Sequence, residues 1–206
     1  MVEERTLSKR HLEIQLGKLS VLETPQLRLE QYPVSANVAA ELLYMAGFEH
    51  HDLQGQTIDL GTGTGRLAIG AAMMGSRRVV GVDIDQRSIA LAKENAMAAG
   101  VQVEWVVSHI KDIMGRYDTL IMNPPYGTRS PHLDIQFLER AFELAPVSYS
   151  IHKSSTREFL RRFIEKRNRR VDAVRSMSLD IPHLFPFHNK KWENIEVDLY
   201  RIISEA

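Results

Sequence analysis

Cysteine is absent from all 206 residues. That excludes disulfides, thiolate metal sites and any mechanism built on a cysteine nucleophile, the covalent route to methylation of a cytosine ring carbon among them. A reducing cytoplasm is the expected compartment for such a chain. No apolar run approaches the ~20 residues of a membrane span, and the stretch from Glu3 to Arg10 is charged, so neither a signal peptide nor an anchor is expected. Net charge is missing too. The 26 basic and 26 acidic side chains cancel, so attraction to a polyanion must come from how charge is distributed. His50, His51, His183 and His188 lack carboxylate or cysteine partners at ligand spacing, and no metal is expected.

What is present suffices for a real core. At 206 residues with 44% hydrophobic side chains, the chain reads as one domain over 1–206, a helical cap at 1–50 on a catalytic core at 51–206. Leu12, Leu16 and Leu19 form the inner stripe of a helix predicted over residues 1–29. After a turn holding Gln31, Ser35 is placed to cap a second helix, with Val38, Ala39, Leu42 and Leu43 on one face and an end near Gly47. From residue 57 short apolar runs at 57–60, 78–83, 103–108, 118–123 and 147–152 alternate with helical stretches near 65–75, 86–99 and 134–145. Such alternation predicts a parallel sheet covered on both faces. A helix at 155–168 is followed by two extended runs, 171–179 and 195–203, with no helix between them, which must therefore be antiparallel. The expected architecture is α/β and Rossmann-like: a seven-stranded, mostly parallel sheet with one antiparallel strand, helices on both faces, and the N-terminal helical cap.

Asp59-Leu60-Gly61-Thr62-Gly63-Thr64-Gly65 follows a strand and opens a helix. Gly61 and Gly63 let the backbone turn sharply and approach a ligand without a Cβ in the way. Asp83 ends the next strand, where an acidic side chain accepts hydrogen bonds from ribose hydroxyls, whereas Asp85 suits the N-cap of the following helix. The third glycine arrives one residue early for a dinucleotide fingerprint, and no Gly-x-x-x-x-Gly-Lys exists for a P-loop. The pattern resembles the first motif of the class I S-adenosylmethionine-dependent methyltransferases.

In that family an Asn-Pro-Pro-aromatic motif after the fourth strand marks methylation of an amino group conjugated to a planar system, and Asn123-Pro124-Pro125-Tyr126 falls there. An exocyclic adenine amine is a poor nucleophile because its lone pair is delocalised into the ring. The Asn123 side-chain oxygen and the Pro124 carbonyl can accept its two N–H bonds and favour a more pyramidal nitrogen, while Tyr126 can stack on the base. The prolines, Pro125 included, fix the backbone so that the reacting atoms can meet in line at ~3–3.5 Å. The same motif also serves N5 methylation of a glutamine in a translation release factor, since a carboxamide is likewise planar.

Three further segments narrow the choice. Leu29-Glu30-Gln31-Tyr32-Pro33, Tyr149-Ser150-Ile151-His152-Lys153-Ser154-Ser155-Thr156-Arg157-Glu158 with its more specific run from His152, and Ile195-Glu196-Val197-Asp198-Leu199 together resemble the methyltransferase-like-five family of ribosomal-RNA adenine-N6 methyltransferases, over about residues 29–203. The resemblance implies methylation of one adenine in small-subunit ribosomal RNA, with Gln31, Gly61, Thr64, Arg66, Asp83, His109 and Ile110 at donor-contacting positions. Two residues depart from the family pattern. His109 stands where an acidic residue usually receives the donor's adenine amine, leaving the Ile110 amide for that ring, and Val34 stands where the family has threonine. Resemblance to the eukaryotic relatives implies a small zinc-binding methyltransferase-activator subunit as partner. A donor-binding RNA scaffold without turnover is the reading from another class.

Charge is unevenly spread. Residues 153–170 hold eight basic and two acidic side chains, a balance of +6 in a neutral chain. Phe159, Leu160, Phe163 and Ile164 have core spacing there, which leaves Arg157, Arg161, Arg162, Arg167 and Arg169 outward. Lys153 and Arg157 are expected to meet RNA phosphates. Phe185, Phe187, Lys190, Lys191 and Trp192 mix aromatics with cations as a single-strand-binding loop would.

Overall fold

Alternating apolar runs and amphipathic stretches place a seven-stranded sheet at the centre. The computed structural model describes residues 7–26, 29–31, 33–126, 132–182 and 192–205, without the side chains of 180–182, 192 and 193. Strands β1 (Gln56–Leu60), β2 (Arg78–Asp83), β3 (Glu104–Val107), β4 (Thr119–Met122) and β5 (Val147–Lys153) are parallel. β7 (Trp192–Ser204) inserts antiparallel between β5 and β6 (Arg169–Pro182), so it alone opposes the rest. The order across the sheet is β3-β2-β1-β4-β5-β7-β6. It is Rossmann-like, as the sequence led us to expect.

Strand periodicity divides the core in two. Ile58, Leu60, Leu120 and Met122 face α5 (Leu133–Leu144) and α6 (Arg157–Glu165); Ile121, Tyr149 and Ile151 face α1 (Lys9–Gly17), α2 (Ala36–Tyr44) and α3 (Arg66–Met73). α4 (Gln86–Ala99) packs on β2 and β3, started by the Asp85 side chain, which accepts from the Arg87 amide at 3.1 Å, and ended by Gly100 with φ +67°.

The cap departs from its sequence reading. α1 ends at Gly17 rather than near residue 29, because tertiary bonds claim the chain beyond it. The Asn95 amide donates to the Ser20 carbonyl at 3.0 Å and accepts from the Ser20 amide at 2.9 Å, which pins the segment against α4. Ser35 has N-cap backbone angles, yet its hydroxyl makes no cap bond and is buried without a partner among the described residues. Gly47 does not end α2's path either; it lies inside a π turn, Met45–Glu49.

Candidate active site

β1 delivers Asp59 to the head of the glycine turn, and hydrogen bonds give that turn its shape. The Gly61 and Thr62 amides donate to the Val82 carbonyl at 2.9 and 2.8 Å, and the Gly63 amide to Asp83 Oδ2 at 2.8 Å. Gly61 has φ +73° and a Cβ there would lie 2.8 Å from the Phe137 ring. At Gly63, with φ +54°, a Cβ would meet nothing within 4 Å, so the turn presents bare backbone to open space.

Asp59 is the brace beneath this turn. Its Oδ2 accepts from the Thr62 hydroxyl at 2.5 Å and the Ala68 amide at 2.9 Å, while Oδ1 is buried without a partner among the described residues. Burial pushes its carboxyl up to about 7 against the pull of those two bonds. Burial raises Asp83 as well, opposed by the bonds from the Asp85 and Gly63 amides.

The turn opens on a cavity of ≈ 270 Å³ that gathers distant parts of the chain. Asp59, Gly61, Gly63, Thr64, Arg66 and Asp83 line it from the core, Glu30, Gln31 and Val34 from the cap. His109, Ile110, Asn123 and Pro125 also line it. Gln31 donates to Asp85 Oδ2 at 2.8 Å and Ser88 Oγ at 3.1 Å and accepts from the Gln26 amide at 2.7 Å, which ties the cap to α4. The Arg66 guanidinium donates to the Val34 carbonyl and, at 3.4 Å, to that of Leu19, and its burial lowers its pKa. The Thr64 carbonyl accepts from Asn95 at 2.9 Å. His109 is exposed, and its Nδ1 accepts from the Lys111 amide at 3.1 Å, capping the short turn Ile110–Asp112.

At the acceptor motif Pro124 is buried, whereas Asn123 and Pro125 reach the cavity. The Tyr126 hydroxyl donates to Asn123 Oδ1 at 3.4 Å, and the Lys153 ammonium sits 5.4 Å from the Tyr126 ring centroid. Tyr126 packs against the first core cluster, and burial raises its hydroxyl pKa. The motif's aromatic is thus held by its own strand neighbour.

Sequence reasoning missed several residues. Arg140 on α5 donates to the Ile110 carbonyl at 3.1 Å and to that of Ile113, so it clamps the turn bearing His109 and Ile110. Only its helix position is visible in sequence, and no local pattern signals that reach. Phe137 and Leu133 line the cavity from the same helix. Glu30 is buried in a left-handed conformation, φ +48°, on the cavity wall; its signal was its place in the Leu-Glu-Gln-Tyr-Pro run.

The small methyltransferase domain model matches residues 36–147. A relative named rRNA N6-adenosine-methyltransferase METTL5, from Danio rerio, is 34% identical over 93% of this chain and 97% of its own. The chain belongs to the METTL5 family. An uncharacterized protein of Methanocaldococcus jannaschii is 34% identical over 95% of this chain and 94% of its own. A solved structure titled as a candidate RNA methyltransferase from Pyrococcus horikoshii superposes with a TM-score of 0.90 at 35% identity, covering 96% and 98% of the two chains.

Ser154 and Arg157 of the METTL5-like run meet their companion segment at one buried carboxylate, Asp198. Asp198 accepts both ends of the Arg157 guanidinium, at 2.7 and 2.6 Å, and the Ser154, Ser176 and Tyr200 hydroxyls at 2.8, 2.9 and 3.1 Å. Burial would raise this carboxyl, but the bonds hold it down at about 2. Beside it the buried His152 ring pairs with Ser150 Oγ at 2.7 Å and is kept neutral by burial, its pKa pushed down to about 3. Arg157 thus commits Nε and Nη2 to Asp198 and Ser176, while its side chain stays 47% exposed.

On the basic helix Arg157, Arg161, Arg162 and Arg167 are exposed, as the spacing predicts, and most of these cations have partners. Arg161 pairs with Glu165 at 3.1 Å, Arg167 with Glu139 at 2.5 Å, and Arg169 donates to the Phe142 and Ala145 carbonyls. Phe159, read as core, is 53% exposed, because α6 packs on the sheet through Leu160, Phe163 and Ile164 only. Lys190, Lys191, Phe185, Phe187, His183 and His188, like Tyr32, lie outside the described residues. Among the described residues no group of three or more His, Asp or Glu could hold a metal, and no helix is long and apolar enough to cross a membrane.

Proposed function

We propose that the chain is an S-adenosylmethionine-dependent adenine-N6 methyltransferase acting on ribosomal RNA, most specifically on one adenosine of the small subunit. The observation that carries this reading is the convergence of the glycine turn and Asn123 on one cavity, in a chain similar over nearly its whole length to an enzyme named for that reaction. The residues present fit such a donor. The open backbone at Gly63 leaves room for its amino-acid part above Asp59, Asp83 offers a carboxylate for ribose hydroxyls, and Ile84 and Ile110 give apolar surface for a nucleobase. When bound, the donor supplies an electrophilic methyl group on a sulfonium.

The rest is the work of this chain's side chains and backbone. The Asn123 carboxamide oxygen and the Pro124 carbonyl accept the two amino hydrogens of adenine, which draws the nitrogen lone pair out of conjugation and aims it. Lys153 covers the Tyr126 ring behind Asn123, and the Tyr126 hydroxyl orients the Asn123 amide so that its oxygen can accept from the amine. The amine attacks as the neutral group; the new nitrogen–carbon bond would form as the methyl carbon's bond to sulfur breaks, a neutral thioether would be the leaving group, and the proton displaced from nitrogen leaves to water. Gln31 and Arg66 fasten the cap to the core beside the cavity, which supports one catalytic domain made of both, and a chain without cysteine suits the reducing cytoplasm.

We further propose a small zinc-binding activator subunit as partner. Edge strand β3, which exposes Val106 and Val107, supports strand pairing with it. The function is tested by offering labelled donor to purified ribosomal RNA and to a release factor in parallel. Label in N6-methyladenosine supports the reading; label in glutamine, or donor binding with no transfer to either, contradicts it.

A further inference from the structure

Positions 159, 163 and 167 of the α6 region stand four residues apart on one face, and their side chains stack. The Arg167 guanidinium carbon lies 3.5 Å from the Phe163 ring centroid. The Phe159 ring follows at 6.3 Å, tilted 29° from Phe163. Phe163 is buried, but Phe159 is 53% exposed, and the residue one step further along the row is the small, exposed Ser155. The ladder therefore ends in an uncovered aromatic face.

Its surroundings are cationic. Arg157, Arg161, Arg167 and Arg170 all have acidic partners, whereas Arg162 and Lys166 are exposed and form no ion pair among the described residues. They belong to the stretch that carries +6 in a neutral chain. The short turn Ser154–Thr156 joins this helix directly to Lys153, whose ammonium covers Tyr126 of the acceptor motif. A flat apolar face flanked by cations without ion pairs among the described residues, on the helix that follows Lys153, matches the chemistry of a single nucleotide: a base to stack and a phosphate to neutralise.

We propose that Phe159 is a stacking platform for an unpaired nucleotide beside the methylated one, with Arg162 and Lys166 drawing its phosphates. The proposal rests on the reading of RNA as the substrate. Because Phe159 is half exposed, its replacement leaves the core intact, and three full-length proteins suffice: wild type, Phe159→Ala and Phe159→Trp. Each is titrated with a single-stranded oligoadenylate and, separately, with S-adenosylmethionine.

Phe159→Ala is expected to weaken oligoadenylate binding roughly 5- to 100-fold with donor affinity unchanged. Phe159→Trp is expected to retain binding, with indole fluorescence quenched by the RNA beyond any change in wild type. Wild-type RNA affinity in Phe159→Ala would overturn the proposal, as would an equal loss of donor affinity, which marks a structural role. A variant that keeps RNA affinity but loses association with another protein overturns it in favour of a protein interface. Failure of the wild type to methylate any RNA defeats the functional reading itself, whereas an active wild type matched by Phe159→Ala defeats only this inference.

Discussion

Asp59 and His152 are both fully buried, and they act on stability in opposite directions as pH changes. Asp59 is raised to about 7 in the folded chain from an ordinary value near 4, so its stabilising contribution is complete at low pH and is lost as pH climbs to 7. His152 is depressed to about 3 from about 6.5, so its contribution is complete above 6.5 and is lost as pH falls towards 3. Between pH 4 and 6.5 the two slopes oppose, each worth about 1.4 kcal/mol per pH unit at full effect. Asp198, held at about 2, adds a further loss only below pH 4. Urea unfolding of Asp59→Asn against wild type should show the variant gaining relative stability steadily from pH 4 to 7. A constant difference over that range would mean that Asp59 titrates as an ordinary carboxylate.

The same residues show what could be read from sequence. Asp59, Gly61, Gly63 and Asp83 were visible because a strand-turn-helix must punctuate its turn with glycine and end its strands in polar residues. The pairing of Arg157 was not, since its partner Asp198 is 41 residues away on a strand that pairs with β5. Charge runs look alike in sequence whether they meet solvent, RNA or a buried carboxylate.

Element boundaries followed local chemistry where local chemistry governs. β2 and α4 begin and end where the apolar run, the Asp85 cap and Gly100 put them. α1 stops early because Asn95 takes both backbone groups of Ser20, and α6 turns Phe159 outward because three apolar positions already fill its buried face. Arg140 is the clearest case of one element positioning another, joining α5 to the turn at Ile110. Arg140→Ala should raise the dissociation constant for S-adenosylmethionine about tenfold, ~1.4 kcal/mol, with the far-ultraviolet circular dichroism unchanged. Arg140→Lys should recover part of the loss. Wild-type donor affinity in Arg140→Ala would show that the turn holds its shape unaided.

At the scale of the whole molecule, the sheet has one edge in β3 and the other in β6, and the two are treated differently. β6 is fourteen residues long and carries Arg170, Asp172 and Arg175 in ion pairs, charges that blunt an edge. β3 is short, and exposes Val107 at 50%. Val107→Asp should change stability by less than about 0.5 kcal/mol while abolishing co-purification of the proposed zinc-binding activator with wild type; undiminished co-purification, or none with wild type, would contradict the proposed pairing at β3.

The central claim is that Asn123 holds an adenine amine of ribosomal RNA in the cavity that also takes the donor. Its most direct test is to incubate unmodified small ribosomal subunits with S-adenosylmethionine and either wild type or Asn123→Ala, then map N6-methyladenosine along the RNA. The account requires one modified adenosine with wild type and a loss of at least about 100-fold in rate with Asn123→Ala, at unchanged donor affinity. Full transfer by Asn123→Ala, or methyl groups found on protein and not on RNA, would contradict it.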